Sequence, residues 1–291
     1  MAQDSMAERS PAQADASLEG QLARVPVREV RTARGVISLR EAGAGPALVL
    51  LHGIGSNSGS WLHQLESPEG RRIIAWDAPG YGTSTPLAPA SPSAADYADA
   101  LTALLDAMAI DRLLLVGHSL GALMAGAFAA RHPQRLHGLA LLNPAGGYGN
   151  ADPALREARL ASRLKMMDEL GPAGMAAQRA SNLLSPTAPP EALQLVSWSM
   201  RRLDPAGHEQ AARMLAGGKL AEDAARFPGR ALVMCGSEDR ITPEAGCRKI
   251  AECFAHGAYR SLHGLGHASY AEAPALVNAA LAEFGREAGA W

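Results

Sequence analysis

Between Leu113 and Arg131 an apolar run passes through Gly117-His118-Ser119-Leu120-Gly121 into a helical pattern. A strand that turns straight into a helix around a serine has few folded solutions. The turn must be tight, so glycine is needed two residues to either side to let strand and helix approach. Such an elbow lifts the Ser119 hydroxyl above a sheet and sets it at a helix N-terminus, where backbone amides face outward. The bland alternative is a serine N-cap in a Gly-rich turn.

The rest of the chain supplies the sheet that this elbow needs. Continuous apolar runs at Ala47-Leu51, Arg72-Trp76, Arg112-Val116, Leu136-Leu142, Ala231-Cys235 and Ala258-Leu262 read as strands covered on both faces. Val25-Val30 and Gly35-Glu41 suit an N-terminal hairpin. Helical patterns at Ala94-Met108, Leu120-Arg131, Pro243-Phe254 and Pro274-Phe284 fall between the strands. Thr242 is the expected N-cap of the third, with Pro243 at its first position. Strands alternating with helices predict a mostly parallel α/β sheet flanked by helices.

The alternation stops between Ala145 and Phe227. That stretch carries helical patterns begun by Pro153, Pro172, Pro190 and Pro205, and no convincing strand. It predicts either extra helices on the core or a helical cap over a site. The expected organisation is a disordered tail over 1–22, a core over 23–145 and 228–291, and a cap over 146–227.

Composition narrows the classes. A hydrophobic share of 47% allows a sizeable core, and a net charge of −2 gives no electrostatic reason to bind nucleic acid or an anionic membrane. Three cysteines without metal-like spacing fit a reducing, cytoplasmic setting better than a disulfide framework. The polar start lacks the apolar stretch of a signal peptide. The expected partner is a small-molecule substrate.

A serine hydroxyl is a weak nucleophile and needs a base. His267, on the glycine-rich loop after the last predicted strand, is the candidate, with His263 as its neighbour and rival. His118 is expected to point away within the elbow. The base needs an orienting carboxylate. Asp239 follows the strand Ala231-Cys235, and Glu238 beside it competes. An oxyanion needs N–H donors. Gly53 and Gly55 leave the Ile54 amide free to point into a pocket, and Leu120 supplies a second. Leu164, Met167 and Trp198 are candidate substrate contacts from the cap, and its arginines, among them Arg156, Arg159, Arg163, Arg201 and Arg202, are candidate carboxylate holders.

These pieces, together with Trp76-Asp77-Ala78-Pro79-Gly80-Tyr81-Gly82-Thr83-Ser84 and Gly266-His267 followed by Glu272-Ala273-Pro274, resemble the α/β-hydrolase family, in its esterase, lactonase and C–C-bond hydrolase group. The resemblance spans roughly residues 25 to 286. It implies an eight-stranded sheet with a cap inserted after the sixth strand, and the triad order Ser119, Asp239, His267. It implies Ile54 and Leu120 as the oxyanion hole, and chemistry without metal or organic cofactor. Members that place the acid after the sixth strand would have it near Asn143, which is not an acid. A serine nucleophile argues against haloalkane dehalogenases and epoxide hydrolases, which use aspartate there. His118 and Ala268 stand where meta-cleavage C–C hydrolases usually carry Asn and Trp. The expected activity is cleavage of a small ester or lactone. C–C hydrolysis of a dienoate, haloperoxidase-like perhydrolysis and a binding protein without turnover remain the alternatives.

Overall fold

The computed structural model describes residues 11–291. Eight strands form one sheet: β1 (Arg28–Thr32), β2 (Gly35–Ala42), β3 (Ala47–Leu51), β4 (Arg72–Trp76), β5 (Leu113–His118), β6 (Leu136–Leu142), β7 (Arg230–Gly236) and β8 (His256–Leu262). Their order is β1-β2-β4-β3-β5-β6-β7-β8. β2 runs antiparallel to β1 and β4, and the remaining pairs are parallel. The predicted mostly parallel sheet is therefore present.

Hydrophobic patterning agrees with this order. β3 and β5 are buried along their whole length, as strands covered on both faces must be. The Ala94–Ala107 and Gly121–Arg131 helices cover one face, while the Pro274–Glu287 helix covers the other. β8 departs from the expected buried run. It is an edge strand, exposed or half-buried except at Leu262.

β3 has β4 on one side and β5 on the other, so the winding of the sheet reverses there. Crevices outside the carboxyl ends of strands at such a switch point are where α/β sheets bind ligands. The segments that leave β3, β5, β6, β7 and β8 carry Ile54, Ser119, Asn143, Asp239 and His267 in turn.

Between β6 and β7 the chain forms the Pro153–Arg179, Pro190–Met200, Pro205–Gly217 and Leu220–Arg226 helices. The first is broken at Gly171 (φ 59°, ψ 177°), ahead of Pro172. Proline at 172 cannot supply the backbone N–H that an unbroken helix requires.

The N-terminal expectation needs correction. Residues 1–10 lie outside the described residues, but Pro11–Leu22 is a helix rather than a disordered tail. Leu18 and Leu22 are buried in the core on the same face as Trp198. No helix among the described residues is long and apolar enough to cross a membrane.

Candidate active site

Ser119 has φ +51°, a left-handed conformation that a non-glycine residue adopts only when its surroundings impose it. Packing shows what imposes it. A Cβ on Gly117 would stand 2.6 Å from the Gly121 carbonyl oxygen, and one on Gly121 would stand 2.4 Å from that of Leu51. The flanking glycines are thus required by backbone approach.

His267 is buried, and its Nδ1 lies 2.8 Å from Oδ2 of Asp239. A carboxylate can only accept, so the proton sits on Nδ1 and Nε2 is left as the acceptor. Ser119 and His267 line the same cavity. The rivals lie elsewhere: Glu238 and His263 are both exposed, whereas Asp239 is buried.

Asp239 is held by more than the histidine. Oδ1 accepts from the N–H groups of Ile241 (2.7 Å) and Thr242 (2.9 Å). Oδ2 also accepts from Asn143 Nδ2 (2.8 Å) and Thr242 Oγ1 (2.6 Å). Burial by itself would raise this carboxyl's pKa. The bonds from His267 and Thr242 outweigh it and hold the group well below the usual carboxylate range. Sequence reasoning missed both partners. Thr242 was expected to cap a helix, but that helix runs over Glu244–Glu252 with Pro243 as its N-cap, and the Thr242 hydroxyl turns to the carboxylate. Asn143 carried one signal, a position at the end of β6, where its φ is +49°.

The loop after β3 is pinned from below. His52 Nδ1 donates to the Gly53 carbonyl (2.9 Å), and its Nε2 accepts from the Ala78 N–H (3.0 Å). Tyr81 Oη donates to the Ile54 carbonyl at 3.0 Å. These bonds fix the Ile54 peptide. Among the described residues neither the Ile54 nor the Leu120 N–H donates to another protein group, and both residues line the cavity. Two unspent donors beside a serine are what an oxyanion requires.

His118 does not point away from the site. It is buried and lines the cavity, with its ring centroid 4.9 Å from that of His267, and Nε2 lies 2.9 Å from the His267 carbonyl. That Nε2 is therefore protonated. Burial, reinforced by His267, pushes its pKa down to about 3.

The cavity has a volume of about 430 Å³ and is lined by the strand ends below and by inserted helices above. Leu164, Met167 and Trp198 are not among its lining residues; Met166, Val196, Ser199 and Met200 are. The expected stripes on two helices were misphased by one or two residues, and a one-residue slip turns a helical side chain by about 100°. Of the arginines named from sequence, Arg163 lines the cavity, and Arg179 joins it unforeseen.

A family model described as the alpha/beta hydrolase fold matches residues 46–274. The chain belongs to the α/β-hydrolase family. This α/β-hydrolase is 34% identical over 116 residues to 2-hydroxy-6-oxo-6-phenylhexa-2,4-dienoate hydrolase of Comamonas testosteroni, covering 38% of this chain and 41% of that protein. Matches to curated relatives span 33% to 44% of those proteins' lengths, well short of the whole. An esterase from Thermogutta terrifontis superposes with TM-score 0.80 at 24% identity, over 90% of this chain and 99% of that one. An enol-lactonase from Burkholderia xenovorans gives TM-score 0.78 at 23% identity, over 88% and 99%. At such identity the likeness speaks to the fold.

Proposed function

We propose that this α/β-hydrolase cleaves a small carboxylic ester or lactone through an acyl-enzyme intermediate on Ser119. The observation that carries the reading is the buried 2.8 Å bond from His267 Nδ1 to Asp239, which leaves Nε2 free as a base in the cavity that Ser119 shares. His267 takes the Ser119 proton as Oγ attacks the carbonyl. The Ile54 and Leu120 amides receive the oxyanion, and His267 returns the proton to the leaving alcohol. Water, deprotonated by His267, then releases the acid. The inserted helices act as a cap that shapes the pocket and excludes water. The cysteine usage read from sequence supports a cytoplasmic setting for this reaction.

C–C hydrolysis of a vinylogous diketone acid is the second reading, favoured by the match to the Comamonas dienoate hydrolase. His118 and Ala268 weigh against it.

Fluorophosphonate labelling, followed by peptide mapping, tests the nucleophile; modification at Ser119 is expected. A panel of short p-nitrophenyl esters, lactones and ring-fission dienoates tests the reaction. Ester or lactone turnover without dienoate cleavage is expected. Dienoate cleavage alone would select the second reading, and a folded protein with neither labelling nor turnover would refute both.

A further inference from the structure

We propose that Arg163, Arg179 and His208 form an anion subsite within the Ser119 cavity, and that the substrate is an ester or lactone bearing a free carboxylate. This rests on the hydrolase reading and assigns that site a substrate class.

The Gly171 break brings the two arginines to one cavity. Arg163 and Met166 are spaced i, i+3 on the limb before it, while Met175 and Arg179 are spaced i, i+4 on the limb after it. Each pair lies on one helix face. Because the helix turns at Gly171 and Pro172, both faces line the same cavity.

Among the described residues no carboxylate answers the charge of either guanidinium. Within the inserted segment Arg202 pairs with Glu19, Arg213 with Glu209 and Arg226 with Asp223. Arg163 and Arg179 are half-buried, yet among the described residues neither makes an ion pair. Arg163 reaches only the Tyr148 hydroxyl, at 3.4 Å. Among the described residues no aspartate or glutamate lines the cavity. Two guanidinium groups at the cavity wall without a protein counter-charge are matched by an anionic ligand, which they can hold through charge-assisted hydrogen bonds.

His208 is the independent observation. It lines the cavity, is 3% exposed, and its buried Nδ1 has no partner among the described residues. Burial and the nearby Arg163 push its pKa down to about 4, so it faces the cavity uncharged. A neutral imidazole has one N–H to give, and a carboxylate already held by two guanidinium groups can accept it. Met166, Met175 and Met200 line the same cavity, which suits a ligand with an apolar body and one acidic end.

The test uses the full chain and 4-nitrophenyl half-esters of C4 to C10 dicarboxylic acids, each paired with the uncharged monocarboxylic ester of equal length. At one or more lengths the half-ester is expected to exceed its partner by at least ~10-fold in kcat/KM. The R163M/R179M variant is expected to bring that ratio down by ~10-fold or more, because both esters share the chemistry and only one needs the cations. If that variant fails to fold, the single substitutions R163Q and R179Q are read in the same way. Inhibition of uncharged-ester turnover by the matching free dicarboxylate gives a second readout in the wild-type protein. No preference at any length, or a ratio unmoved by the substitutions, overturns the subsite while leaving the hydrolase reading intact. Absence of turnover on every ester, with no labelling of Ser119, would instead defeat the hydrolase reading.

Discussion

Asn143 Nδ2 donates to Oδ2 of Asp239 across 2.8 Å, joining the end of β6 to the end of β7. Asn143 Oδ1 in turn accepts from Ser269 Oγ at 2.8 Å, two residues beyond His267. The carboxylate, its amide partner and the histidine loop are therefore tied into one hydrogen-bonded network. Thr242 completes the clamp from the other side, through both its N–H and its hydroxyl.

Loosening that clamp should misplace His267 rather than remove it. Asn143→Ala and Thr242→Val are each expected to lower kcat by about 10²-fold or less, with KM little changed, since small misplacements of catalytic groups cost on this scale. A variant with a lowered Tm but unchanged kcat would reduce its residue to a purely structural role.

Asp239 and Glu238 are adjacent but not equivalent. Asp239 is buried on His267, whereas Glu238 is exposed. Asp239→Asn is expected to cut turnover by roughly 10⁴-fold, through loss of the histidine tautomer. Glu238→Gln should stay within a few-fold of wild type. Steady-state kinetics on one ester decides, and the reverse ranking would move the acid to Glu238.

Ser119→Ala keeps the Cβ and therefore the elbow's φ, so the fold should survive. Turnover is expected to fall by about 10⁴–10⁶-fold, and fluorophosphonate labelling should vanish. Unchanged turnover in a folded protein would remove Ser119 as the nucleophile.

The strand ends were legible because each rests on a local signal. Gly117 and Gly121 encode a close backbone approach, and an apolar run followed by Gly, Ser or Asp marks the end of a buried strand. What escaped notice depends on phase or on long-range packing. Thr242 looks like a helix cap until the distant Asn143 and His267 loops close on its neighbour. Arg179 joins Arg163 only because the helix breaks at Gly171. Leu18 and Leu22 are too few and too spaced to announce a docked helix, and only the surface they meet explains their burial.

Buried histidines held uncharged, His118 and His208 among them, make the fold sensitive to acid. The folded pKa is about 3 for His118 and about 4 for His208, below the ordinary 6.5, with burial the chief cause in each. Above pH 6.5 both are neutral in either state, and their contribution to stability is fully present. As pH falls below 6.5 the unfolded chain binds protons that the folded chain refuses. Stability then drops by up to about 1.4 kcal/mol per pH unit for each histidine, until the folded pKa is reached. Urea midpoints should therefore decline between pH 6.5 and 4.5. His208→Gln, compared with wild type, should show a shallower decline by about one proton's slope. Equal slopes would mean that His208 is not held neutral by the fold.

Trp198 separates core packing from pocket lining. On the Pro190–Met200 helix the cavity takes Val196, Ser199 and Met200, spaced i, i+3 and i+4. Trp198 stands about 200° around the helix from Val196 and so faces away. Its ring covers Gly59, where a Cβ would come within 2.6 Å of Cζ3, and the Arg202 guanidinium lies over it at 4.2 Å. Removing the indole opens a void in packed core, which typically costs about 3–5 kcal/mol. Trp198→Ala should thus lower Tm by roughly 10 °C, taking about 2–4 °C per kcal/mol for a chain of this size. It should change kcat/KM by a similar factor at every acyl length from C2 to C10. Met200→Ala alters the pocket itself. Its methyl lies 3.2 Å from where a Gly55 side chain would begin, beside Ile54. Loss of such contact is worth about 1–3 kcal/mol, or roughly 10–200-fold, to the acyl chain that fills it. Met200→Ala should therefore shift the preferred chain length while Trp198→Ala does not, and the opposite pattern across the ester series would put Trp198 in the pocket.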